Sequence, residues 1–193
     1  MALPRTLTVA DLYAIPESVR GERFELIDGD LLVNPAPIPM HQIVSGNLML
    51  HLELHVRANK LGRVIAAPGL HVDEHTYVVP DIVLIAKEHI EIIGPVNVVA
   101  APDLVCEILS PGTRRYDQMV KRALYAQIGV REYWLVEPGT RSVTVLVLEA
   151  GNFTELTFED SDAVSSRVLP SLHLRLDELF EDIDLVPVAP RSQ

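Results

Sequence analysis

Apolar positions along this chain recur at two spacings, and the changes from one to the other mark its elements. Over residues 40–59, Ile43, Val44, Leu48, Leu52 and Val56 return near every 3.6 residues, the repeat of a helix with one face on a core. Pro35, Pro37 and Pro39 form a stiff connection ahead of it, and Gly62 stands just past its end. A short helix is predicted to start at Thr8, with Val9, Leu12 and Tyr13 as its stripe and Pro16 as its stop. A third helix is predicted over residues 115–128, closed by Gly129, with Val120, Leu124 and Ile128 inward and Lys121 at the edge beside Tyr125. Elsewhere the pattern changes to short runs rich in Val and Ile. Residues 63–67, 70–73, 77–86, 104–109 and 132–136 are predicted strands of a central sheet. Two antiparallel hairpins are added, one about Asp28-Gly29 and one about Gly151-Asn152. A last apolar turn covers residues 174–180. With no internal repeat or linker, the pattern predicts one domain over residues 1–185 and a polar tail at 186–193.

Composition narrows the class. Of 193 residues, 48% are hydrophobic and 22% charged, which supports one sizeable core and excludes a disordered chain. The longest stretch without a charged residue, 31–52, contains three prolines and two histidines, so no membrane span is expected. A lone cysteine, Cys106, and no leader pattern predict a cytoplasmic protein. The net charge of −11 counts against a protein that coats nucleic acid through counterion release. Within that acidic chain, however, residues 110–131 carry Arg114, Arg115, Lys121, Arg122 and Arg131 against Asp117 alone. Arginine's planar fork suits phosphate as well as carboxylate.

Two carboxylates interrupt apolar strands: Asp81 within residues 78–85 and Glu107 within residues 104–109. A buried ionised carboxylate costs several kcal/mol unless it is paired, so each demands a cation, a metal or a ring of donors. Taken alone, either reads as a buried ion pair or a strand-end cap. Taken together on neighbouring strands, they form half of an oxygen-rich site for a hard divalent ion. Lys121 can point toward such a site from the edge of its helix. It can equally pair with Asp117, four residues earlier, as an exposed couple contributing only about 0.2–0.5 kcal/mol.

The segments 24–29, His41 after its proline-rich turn, 80–83, 102–111, 117–121 and 129–136 recur in order and at similar spacing in one family. In these the chain resembles the Uma-type putative restriction endonuclease family, over most of its length. That family is similar to the PD-(D/E)XK nucleases. The resemblance implies an α/β (α+β) restriction-endonuclease-like fold, a mixed central sheet flanked by helices, and Mg²⁺- or Mn²⁺-dependent endonuclease cleavage of nucleic-acid phosphodiesters, with DNA as the expected partner and a homodimer as the expected assembly. It implies that Asp81 and Glu107 are catalytic and metal-ligating, with the carbonyl of Ile108 as a further ligand. Leu109 stands where the parent pattern has lysine, so the resemblance assigns the catalytic lysine to Lys121 on the following helix. Glu25 would be an auxiliary catalytic acid or an exposed strand carboxylate facing Arg23. His41, Arg114 and Arg115 would contact substrate phosphate, although a histidine opening a helix also reads as polar surface.

Readings from other classes are weaker. His51 and His55, and His71 and His75, are four apart, but Leu52 follows His51 where a zincin helix needs glutamate. Ser110 sits in no nucleophile elbow, and Cys106 alternates to the face opposite Glu107, into the core. The serious alternative is non-enzymatic: a nuclease-fold module that binds nucleic acid or protein and keeps its ionisable residues as a structural network.

Overall fold

A computed structural model describes residues 6–16, 23–160 and 162–186. Its frame is a six-stranded mixed sheet in the order β10-β9-β8-β7-β6-β3. These strands are β3 (Gly62–Ala66), β6 (Ile82–Ala86), β7 (Leu104–Ile108), β8 (Glu132–Glu137), β9 (Ser142–Glu149) and β10 (Asn152–Phe158). All pair antiparallel except β7 and β8. A parallel pair needs a crossover, supplied here by α3 (Arg114–Tyr116), a π-helical turn (Asp117–Lys121) and α4 (Arg122–Ile128), which run on as one helix. A smaller antiparallel sheet, β2-β1-β5-β4, is built from β1 (Arg23–Ile27), β2 (Asp30–Asn34), β4 (Leu70–Asp73) and β5 (Thr76–Val78).

Each face of the large sheet has its own core, because alternate strand residues point opposite ways. Ile82, Leu84, Leu104, Cys106 and Ile108 face α2 (Pro39–Asn59), whose Val44, Leu48, Leu52 and Val56 are fully buried against them. The C-terminal region closes this side: after β11 (Ala163–Val164), Leu174 in β12 (Leu174–Arg175) and Leu176 and Leu179 in α5 (Leu176–Leu179) join the same core. Val83, Ile85, Val105, Tyr133 and Leu135 face the other way, onto Leu124 and Tyr125 of α4 and Leu70 and Val78 of the small sheet. The sheet is therefore covered on both faces, a mixed α/β arrangement of the restriction-endonuclease-like kind.

Several boundaries differ from the sequence reading for identifiable reasons. Residues 77–86, predicted as one strand, are divided at Pro80-Asp81 into β5 and β6, which belong to different sheets; proline lacks the N–H that a continuing ladder needs. Residues 70–73 likewise pair in the small sheet and not in the central one. The long helix starts at Pro39, for which the first helical turn asks no N–H. It ends on Lys60 in the left-handed conformation, φ 56°, and Gly62 has a different task. The second hairpin turns at Ala150-Gly151, with φ 48° and 82°, one residue before the predicted turn. The predicted first helix is α1 (Val9–Tyr13), capped by Thr8. The tail beyond residue 186 lies outside the described residues.

Gly62 begins the edge strand at φ 154°, where a Cβ would lie 2.0 Å from the Ile85 carbonyl oxygen. Gly46, exposed on α2, has nothing within 4 Å of that position. Gly62→Ala should therefore cost about 2–3 kcal/mol in urea unfolding, whereas Gly46→Ala should gain up to about 1 kcal/mol by raising helix propensity.

Candidate active site

The β6–β7 register brings two acids side by side. Ile82 pairs with Cys106 and Val83 with Val105. The ladder ends at the first of these pairs, and the next residues outward on the two strands are Asp81 and Glu107, the latter on the face that carries α4. Asp81 sits in the bend after Pro80, where its Oδ2 accepts the Ile108 backbone N–H at 2.9 Å and lies 3.0 Å from His41 Nε2. His41 opens α2 and is buried there instead of lying on polar surface; its Nδ1 is buried without a hydrogen-bond partner.

The crossover helix delivers the cation. Lys121 Nζ is 2.9 Å from Glu107 Oε1, 2.9 Å from Glu25 Oε1 and 3.5 Å from Asp117 Oδ1. One turn on, Tyr125 donates its hydroxyl to the same Glu107 oxygen at 3.0 Å. Glu25 is buried, and it also accepts from the Val79 N–H at 2.7 Å and from Asn34 Nδ2 at 2.7 Å. This tightly bonded acid is no exposed strand carboxylate. Nor is the Asp117–Lys121 pair an exposed helix couple, since both residues are only 3% exposed. The π turn brings this about: its wider winding directs Asp117 and Lys121 inward together and leaves Val120, predicted to be buried, 40% exposed. Single π turns of this kind recur at functional sites.

The cluster is crowded with negative charge. Burial pushes the Glu107 carboxyl well up, and Asp117, Asp81 and Glu25 add to that shift against the opposing pull of Lys121. Burial likewise raises the Asp117 carboxyl to about 6, partly offset by Lys121. Burial alone would discharge Lys121, but Glu107, Glu25 and Asp117 outweigh it and hold the ammonium charged. Asp81, Glu107, Asp117, Lys121, His41 and Ile108 all line one open cavity of about 210 Å³. Glu25 stands behind Lys121, outside that wall.

Among the described residues, no three histidine, cysteine or carboxylate side chains stand grouped as a metal cage. Mg²⁺ does not ask for one: it is bound through one or two carboxylates and keeps water or phosphate oxygens for the rest of its shell. Asp81, Glu107 and Ile108 line a cavity crowded with carboxyl groups, so the two acids and the adjacent main-chain carbonyl are a donor set that fits that ion.

The predicted phosphate-contacting arginines are placed less favourably. Arg114 is paired with Glu137, and Arg122 with Glu155 at 2.9 Å, so neither projects free from the basic segment. Arg115 is exposed beside them. His55 and His75 donate to the carbonyls of Pro170 and Leu7, fastening segments of the fold. Sequence reasoning passed over Asp117 and Tyr125 as site members, because an even helical repeat places the first on the surface. It also passed over Asp103, buried at the start of β7, where the Ala86 N–H, His89 and Arg131 outweigh the effect of burial and hold its carboxyl below the ordinary range. Asp103 lies at the opposite end of β7 from Glu107 and takes no part in the cavity.

The family model described as Uma2, "Putative restriction endonuclease", matches residues 9–177. None of the curated proteins matches the chain. Among solved structures, a "putative nuclease belonging to DUF820" from Anabaena variabilis ATCC 29413 superimposes with a TM-score of 0.77 at 21% identity, covering 92% of this chain and 99% of its own.

Removing the shared cation leaves three buried acids without their counter-charge. Lys121→Met should destabilise the protein by about 3–5 kcal/mol in urea at neutral pH, far above the cost of losing an exposed helix pair. Asp117 tests the same electrostatics by pH. Its folded carboxyl, at about 6, lies above the ordinary 3.8, so its contribution to stability is present at low pH and lost as pH rises through about 6. Between pH 4 and 7, Asp117→Asn should accordingly show a flatter dependence of the urea midpoint than wild type.

Proposed function

The chain belongs to the Uma2 family of putative restriction endonucleases, and we propose that it is a divalent-metal-dependent endonuclease that hydrolyses DNA phosphodiester bonds in the cavity walled by Asp81, Glu107 and Lys121. One observation carries this reading. Two acids at neighbouring strand ends, Asp81 and Glu107, together with Ile108 and the buried Lys121 from a third element, line the same open cavity. A purely structural ion pair has no need of a second acid facing solvent-accessible space.

Asp81, Glu107 and the Ile108 carbonyl would hold Mg²⁺ or Mn²⁺, which supplies Lewis acidity to an attacking water and neutralises charge on the scissile phosphate. The chain's own residues do the rest. His41 and the Ile108 N–H fix one oxygen of Asp81, and Tyr125 fixes one oxygen of Glu107; neither carboxylate then has to be ordered when substrate arrives. Lys121, held charged by Glu25 and Asp117, presents a point charge to the phosphate as its negative charge grows. Asp117, raised toward neutrality, suits proton exchange with water at the cavity wall. A homodimer would present two such cavities to the two strands of a duplex, a point that sedimentation checks.

Folded protein should cut DNA with Mg²⁺ or Mn²⁺ and be silent in chelator. Asp81→Asn and Glu107→Gln should each lower cleavage on the order of 10²-fold or more and weaken Mn²⁺ binding read by electron paramagnetic resonance. Folded wild-type protein that binds Mn²⁺ yet cuts neither DNA nor RNA across pH and salt would identify a non-catalytic nuclease-fold module instead.

A further inference from the structure

At the C-terminal end of α2, far from the acidic cavity, four cations surround a second open cavity of about 290 Å³: Arg57, Lys60, Arg63 and Lys87, over a floor of Val56 and Gly62. They come from three separate elements. Arg57 lies in the last turn of α2 and Lys60 caps it, Arg63 is on β3, and Lys87 opens the 3-10 turn Lys87–Ile92. Two of the three lysines in a chain of net charge −11 are therefore in one pocket. Cations at a helix C-terminus offset its dipole, and charges on an edge strand deter pairing with another chain. Neither effect explains why side chains from three elements converge on one concavity. The pocket also has few acids of its own. Glu53 pairs with Arg57 along the helix, whereas Glu88 and Glu91, the acids nearest Lys87 in sequence, act on His89. No ion pair engages Lys60, Arg63 or Lys87 among the described residues.

We propose that this pocket is a remote phosphate-binding site, which grips a backbone phosphate of the nucleic acid whose cleavage is proposed above. The inference rests on that reading for the identity of the ligand. The cavity mouth itself offers little for a polyanion: Arg114 and Arg122 are tied to Glu137 and Glu155, and the wall is acidic. An acidic protein that holds a phosphate chain needs an anchor where its own carboxylates are absent, and the end of α2 provides one. α2 also sets the distance. His41 and Arg57 are sixteen residues apart on one helix, or about 24 Å, a span of about seven base pairs at 3.4 Å each along a duplex axis. One helix would thus measure the strand between the reacting phosphate and the anchored one.

The test is binding without cleavage. In an Asp81→Asn background without divalent metal, fluorescence anisotropy measures affinity for a duplex of about 20 base pairs, long enough to bridge both sites. Lys60→Gln, Arg63→Gln and Lys87→Gln together should weaken binding about tenfold or more and reduce the slope of log affinity against log salt by about 0.9, the loss of one phosphate contact. A charge-matched control, Arg141→Gln, Arg167→Gln and Arg175→Gln, removes equal charge from exposed ion pairs elsewhere and should leave the slope nearly unchanged. Circular dichroism melting confirms that both triple variants fold. Equal losses in the two would show that only net charge matters and would overturn the site. Inorganic phosphate, followed by NMR at the Lys60 and Lys87 signals, separates the source of the ligand: phosphate shifts there without any effect of the pocket variants on DNA affinity would make this a small-anion pocket and overturn the anchor. If wild-type protein bound no DNA, the nuclease reading would fall with it; if DNA bound and the pocket variants changed nothing, only the anchor would fall.

Discussion

Lys121 is the interaction on which the rest of this structure depends. Its ammonium is almost wholly buried and lies within 3.5 Å of carboxylates carried by three different parts of the fold: Glu25 on the small sheet, Glu107 on the large one and Asp117 on its own helix. A buried charge without partners costs several kcal/mol, and so does a buried acid. The four groups are tolerable only together. That mutual requirement locks the small sheet, the large sheet and the crossover helix into one arrangement, because displacing any one of them strands charge in a low dielectric. The same requirement leaves the cluster electrostatically unbalanced. One positive charge cannot satisfy three acids, with Asp81 a fourth nearby, and the raised Glu107 and Asp117 carboxyls are the result.

Geometry reaches this cluster through ordinary rules of sheets and helices. Period-two alternation sends Cys106 and Ile108 to the α2 side and Glu107 to the α4 side. The antiparallel register then places Asp81 next to Glu107 with no need for a special loop. Because β8 runs parallel to β7, the chain must cross over the sheet between them, and the helix that does so lies above Glu107. Topology thus brings Lys121 and Tyr125 to the acid, and the π turn decides which of the helix's residues look down.

Much of this was legible in the sequence, and what was not has physical causes. Misplaced polarity is a strong signal: an acid in the middle of Val, Leu and Ile, as with Asp81 and Glu107, has few explanations, and both proved to line one cavity. The first hairpin, announced by Asp28-Gly29, and a long helix announced by its apolar repeat were equally readable. The role of Asp117 was hidden because an i,i+4 acid–lysine pair looks the same whether water or protein surrounds it; only the π turn distinguishes the two, and no residue type encodes it. Residues 77–86 read as one strand because their apolar pattern is continuous, whereas the division at Pro80 follows from which sheet each half can join. The basic segment around Arg114 is more engaged than its sequence suggests, for a further reason. Arginines clustered in sequence look available to phosphate, but Glu137 and Glu155, distant along the chain, already hold two of them.

A second buried glutamate shows how differently the fold accommodates the same side chain. Glu132, on the strand beside Glu107, is fully buried, yet it is surrounded by donors: Trp134 Nε1 at 3.1 Å, Ser166 Oγ at 2.7 Å, the Val168 N–H at 3.2 Å and the Arg167 N–H. Both of its oxygens are provided for by neutral groups of this chain, and the result is a clamp that fastens residues 166–168 to the sheet. Glu107 is equally buried in a strand, but its donors, Lys121 and Tyr125, converge on one oxygen, and the cation is shared with two other acids. Burial is therefore not what distinguishes the two. A carboxylate ringed by its own donors has its charge provided for within the fold, while Glu107 competes with its neighbours for a single cation at the wall of an open cavity.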